Sequence, residues 1–136
     1  MRYVLDASIA VSWCFRDEQD VRADAAIELF HEGALTIAPM HWWFEVRNVV
    51  MLGVRRGRVA EHEMTAFFQS LAETPVTLAE LPNDAAVFAL AQSHRLSFYD
   101  AAYLELAIRE RVPLATLDQA LSRAATAEGV PLIGSA

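Results

Sequence analysis

Four acidic residues in this chain stand where carboxylates can do chemistry. Asp6 ends the apolar run Tyr3-Val4-Leu5, and Asp118 ends a second run, Leu114 to Leu117, in "LATLDQAL". Asp100 opens a helical pattern in "SFYDAAYLELA", and Glu45 lies inside another, "APMHWWFEVRNVVML". Carboxylates gathered from separate segments repel one another and suit a hard divalent cation, which takes oxygen ligands and needs no His or Cys.

Each aspartate has a plainer reading as well. Asp6 and Asp118 fit helix N-caps, whose side-chain oxygens accept from free amides of the first turn. Ser97 and Asp100 fit the S-x-x-D spacing of a capping box, where the helix dipole also favours an acid. The readings are compatible, because caps that follow neighbouring parallel strands lie on one edge of the sheet. Capping cannot explain Glu45. Its helix begins near Pro39, a residue suited to a first helical position. Glu45 then sits over a turn inside, amid Trp42, Trp43, Phe44, Val46, Val49 and Val50, with Asn48 on its face. A carboxylate in such surroundings is costly unless it is paired or bound to a cation. Pairing with a nearby arginine such as Arg47 is the alternative to a metal.

The elements that must position these acids alternate along the chain. Strands are expected at Tyr3 to Leu5, Leu35 to Ala38, Val76 to Ala79, Leu114 to Leu117 and Leu132 to Ile133. Helices are expected at Ser8 to Phe15, Val21 to His31, His41 to Arg55, Glu61 to Glu73, Asp84 to His94, Asp100 to Arg111 and Gln119 to Ala127. Gly33, Gly57 and Gly129 fall at helix ends, and five prolines punctuate the joins. The alternation implies one α/β domain over residues 1–136, a central parallel sheet of five strands with helices on both faces. Ligands of such sheets bind beyond the carboxyl ends of the strands.

Composition narrows the field. The chain has 136 residues, 54% of them hydrophobic, yet no apolar run approaches the ~18 residues of a membrane span. The amino-terminal stretch lacks a signal-peptide pattern, so no membrane and a cytoplasmic location are expected. The single Cys14 excludes an internal disulfide or a multi-cysteine metal site, and its apolar neighbours mark it as core. The formal charge of −7 argues against binding nucleic acid through bulk electrostatics, unless part of the excess acid is a cation site. All eleven basic residues are arginine, able to hold phosphate bidentately.

Asp6 with Ser8 in "LDASIAV", Glu45 with Asn48 in "FEVRNVV", Asp100 in "FYDAAYLELA", and Thr116 with Asp118 in "ATLDQAL" resemble the four acidic blocks of the PIN domain family. The resemblance is nearest to VapC toxins of bacterial toxin–antitoxin systems and spans residues 3 to 133. It implies a PIN-like fold. Asp6, Glu45, Asp100 and Asp118 match the acidic quartet that serves catalysis and binds metal. Ser8, Asn48 and Thr116 match its small polar supporting positions. The implied activity is ribonuclease action dependent on Mg²⁺ or Mn²⁺, with an RNA substrate, a cognate VapB-type antitoxin that blocks the site, and a homodimer. The aromatic "HWWF" before Glu45 departs from the smaller aliphatics more common in relatives, which bears on the shape of the substrate groove.

The remaining signals are weaker. "HEMTA" lacks the second His of a zinc protease, because position 66 is Ala. His41, four residues before Glu45, either approaches the site or, as the favoured reading, is a solvated helix start, and Tyr103 reads as core or dimer contact. Trp42 and Trp43 read as a core or interface pair rather than as base-stacking groups. Arg55, Arg56 and Arg58 either contact RNA phosphates or complement a helix carboxyl terminus. A haloacid dehalogenase would want Asp where Ser8 stands, and a receiver domain would want a lysine. The rival of another class is a PIN-fold protein that acts only by binding, with a vestigial metal site.

Overall fold

The first helix begins as soon as the first strand ends, and that abrupt join sets the geometry of the molecule. The computed structural model describes residues 1–15, 17–73 and 75–135. Its elements run β1 (Arg2–Leu5), α1 (Ala7–Ser12), α2 (Val21–His31), β2 (Leu35–Ala38), α3 (His41–Arg55), α4 (Glu61–Glu73), β3 (Thr77–Leu78), α5 (Asp84–His94), α6 (Phe98–Glu110), β4 (Leu114–Ala115) and α7 (Gln119–Ala127). The sheet order is β3-β2-β1-β4 and every pairing is parallel. The doubly covered α/β architecture expected from the alternating pattern is the one observed.

β1 is central, so its side chains are covered on both faces, and Tyr3, Val4 and Leu5 are wholly buried. The Tyr3 hydroxyl meets its hydrogen-bonding need by donating to the Ala26 carbonyl at 2.7 Å. In register, Val4 stands beside Ile37 of β2 and Leu114 of β4, which brings the carboxyl ends of the three strands level. α6 crosses the core with Ala101, Tyr103, Leu104, Leu106 and Ala107 all buried, as expected of a helix apolar on most of its circumference. Its one buried acid, Glu105, is gripped by the Arg109 guanidinium at 2.9 and 3.1 Å.

Helix ends are fixed locally. At the end of α3, Gly57 (φ 70°) donates to the Val54 carbonyl and Arg58 to the Gly53 carbonyl. α7 closes the same way through Gly129 (φ 75°), a paired arrangement that satisfies otherwise orphaned carbonyls.

The strand pattern needs one correction. Among the described residues the sheet has four strands, and the fifth expected strand is a single bridge between Leu132 and Leu114. Pro131 has no N–H to extend a ladder, and Gly134 (φ 75°) turns the chain away. α1 also stops short of Phe15, at Ser12, whose hydroxyl donates back to the Ile9 carbonyl at 2.6 Å.

Candidate active site

Asp6 leaves β1 with the backbone of an N-cap (φ −72°, ψ 146°), but its side chain makes no capping hydrogen bond. Instead its Oδ2 accepts from the Ser8 hydroxyl at 2.6 Å and the Thr116 hydroxyl at 2.7 Å. Each hydroxyl is itself held in place. Ser8 Oγ accepts from the Leu117 amide at 3.0 Å, and Thr116 Oγ1 from the Asp118 amide at 3.1 Å. The end of β4 thus clamps the carboxylate at the end of β1. Asp6 is buried, and burial pushes its carboxyl up to about 6 against the pull of both hydroxyls, with the charges of Glu45 and Asp100 adding to the rise.

Asp118 does cap α7, its Oδ1 accepting from the Leu121 amide at 2.7 Å. In α6 the cap is Ser97, which accepts from the Asp100 amide at 3.1 Å. The Asp100 carboxyl is raised by burial first and then by the charge of Asp118, while Ser97 and His41 pull it down. Glu45 sits half-buried on α3 and takes a hydrogen bond from Tyr103 Oη to Oε1 at 2.7 Å. Burial is again the main force raising its carboxyl, opposed by Tyr103 and reinforced by Asp100. Arg47, the alternative partner, is turned elsewhere: its guanidinium lies 4.0 Å over the Trp43 ring and donates to the Trp43 carbonyl.

The electrostatic links Asp6–Glu45, Asp6–Asp100, Glu45–Asp100 and Asp100–Asp118 join the four acids into one connected group beyond the carboxyl ends of the strands. Among the described residues no three His, Cys, Asp or Glu side chains stand in a ready-made metal cage. Mg²⁺ does not require one, since it keeps several waters and is held through one or two carboxylates. An all-oxygen donor set whose members repel one another fits such a cation.

Two residues stand closer to the site than the sequence reading favoured. His41, expected in solvent, has Nε2 3.4 Å from Glu45 Oε1 and 3.0 Å from the Tyr99 carbonyl. Burial pushes its imidazole down, against the hydrogen bond to Tyr99 and the charges of Asp6 and Asp100. Tyr103 is core, as one reading had it, but its hydroxyl serves Glu45. Both were visible as spacings, His41 at i−4 from Glu45 and Tyr103 at i+3 from Asp100. Among the described residues no side-chain hydrogen bond ties the other expected positions Asn48, Trp42, Trp43, Arg55, Arg56 or Arg58 to the quartet. Asn48 is exposed on α3, and Trp42 is buried while Trp43 is exposed. Arg55 and Arg56 are exposed, whereas the Arg58 fork is taken by Asp17 and Glu18, each contact at 3.1 Å.

A parallel sheet with an acidic quartet beyond its strand ends is the pattern of a defined class. The model of the PIN domain matches residues 3–127, and the chain belongs to the PIN domain family. Within it the chain is similar to Ribonuclease VapC3 of Pyrobaculum aerophilum, at 34% identity over 128 residues, 90% of this chain and 93% of that protein. Its fold resembles the crystal structure of PAE2754, also from Pyrobaculum aerophilum, with a TM-score of 0.67 at 23% identity over 91% of this chain and 87% of that one.

Proposed function

We propose that this chain is a Mg²⁺- or Mn²⁺-dependent ribonuclease, the VapC-type toxin of a toxin–antitoxin pair, restrained by a cognate VapB-type antitoxin and working as a cytoplasmic homodimer. The observation that carries the reading is the linkage of Asp6, Glu45, Asp100 and Asp118 beyond the strand ends, with Asp6 clamped by Ser8 and Thr116. Similarity to a protein named as a ribonuclease supports the same activity.

Asp6, Glu45, Asp100 and Asp118 would hold the cation. One or two such ions supply an activated water and stabilise charge on the phosphoryl and leaving oxygens. The protein's share is orientation. Ser8 and Thr116 occupy Asp6 Oδ2, which leaves Oδ1 without a hydrogen bond from any described residue. The α7 cap fixes Asp118, and Tyr103 fixes one oxygen of Glu45. Beside the site, Met40, Leu81, Phe98 and Tyr99 line an apolar groove of about 240 Å³ and are well exposed, which supports a protein partner there.

The purified protein is expected to cleave RNA with added Mg²⁺ or Mn²⁺, to stop in EDTA, and to lose activity in Asp6→Asn. Cleavage that persists in EDTA, or in Asp6→Asn, overturns the reading.

A further inference from the structure

Glu45 has two oxygens in different circumstances. Oε1 accepts from Tyr103 Oη at 2.7 Å and lies 3.4 Å from His41 Nε2, while Oε2 takes no hydrogen bond from any described residue. Tyr103 is itself a fully buried side chain of α6. His41 packs edge-on against the Tyr103 ring (5.1 Å) and the Tyr99 ring (5.3 Å). Its Nε2 faces the Tyr99 carbonyl, which can only accept, so this nitrogen carries the hydrogen and its other close oxygen is Glu45 Oε1. A single donor from α6 therefore holds one oxygen of Glu45, and His41, whose hydrogen goes to the Tyr99 carbonyl, packs its ring against that donor.

We propose that Tyr103 is a positioning residue, which anchors Glu45 by Oε1 and presents Oε2 to the cation, with the His41 ring buttressing Tyr103. The inference deepens the ribonuclease reading and rests on it. A side chain that acted only as core filling would tolerate Tyr103→Phe, since the ring is kept and only the hydroxyl is lost.

The test is a double-mutant cycle of Tyr103→Phe and Glu45→Ala, read by Mn²⁺ titration without RNA and by the kinetics of RNA cleavage. Tyr103→Phe is expected to weaken Mn²⁺ binding about tenfold or more and to lower kcat about 10–100-fold while KM for RNA stays at the wild-type value. In the Glu45→Ala background it should weaken Mn²⁺ binding no further. Wild-type Mn²⁺ affinity in Tyr103→Phe overturns the proposal, as does an equal loss with and without Glu45. If Tyr103→Phe does not fold, His41→Ala run through the same cycle decides, with a loss of Mn²⁺ affinity that again must vanish without Glu45. A wild type that binds Mn²⁺ but cleaves no RNA overturns the ribonuclease reading, and the titration still judges the positioning. A wild type that binds no Mn²⁺ overturns both.

Discussion

Asp6 carries its charge at a cost. Burial dominates, lifting its carboxyl from 3.8 to about 6 although two hydroxyls favour the ionised form, a rise worth roughly 3 kcal/mol at most. The folded protein therefore holds this proton more tightly than the unfolded chain does. That contribution is complete below the unfolded value and is lost as pH rises through about 6. His41, pushed down by burial and held up in part by the charge of Asp6, loses that support in an Asp6 variant, so its low-pH penalty is larger there and adds to the same trend. In EDTA the stability of Asp6→Asn relative to wild type should thus grow between pH 5 and pH 7, read from thermal melts across that interval. A difference that is flat or shrinks would mean the buried charge is not opposed in the way described. Sequence put Asp6 at the strand end but could not separate cap from site, because the backbone angles suit both. The deciding partner, Thr116, lies 110 residues away.

Among the elements, α7 begins on a residue that is both a helix cap and a charged neighbour of Asp100. Asp118 accepts from the Leu121 amide and also stands in the quartet, whereas Asp6 caps nothing with its side chain. Asp118→Ala should cost about 1 kcal/mol in EDTA by denaturant unfolding, and Asp118→Asn much less, while both lose cleavage. Equal stability of the two variants would contradict the cap. The bounds of α2, α3, α4, α5 and α7 follow directly from sequence because their caps, glycines and periodicity are local. Strands were less legible. β3 shrinks to Thr77–Leu78 and the Leu132 segment to one bridge, because a neighbour far along the chain decides how much of an edge pairs. Glu45 was read from its apolar surroundings. Its hydrogen bond from Tyr103 was not, since the α3–α6 contact that brings Tyr103 to it has no local signature.

For the whole molecule, a formal charge of −7 is awkward in a protein read as handling RNA, unless part of that charge belongs to the site. Two divalent ions would offset four of the seven negative charges by simple addition. The topology supplies the means: β1 and β4 are parallel neighbours, and α1 and α7 start from their carboxyl ends, so Asp6 and Asp118 share one sheet edge, joined through Thr116, although 112 positions separate them. The central claim is that these carboxylates form one cation site. Its most direct test is an anomalous-scattering map from crystals of the protein grown with Mn²⁺. The account predicts a manganese peak bounded by Asp6, Glu45, Asp100 and Asp118, lost in Asp6→Asn. A peak elsewhere, or an unchanged peak in that variant, would contradict it.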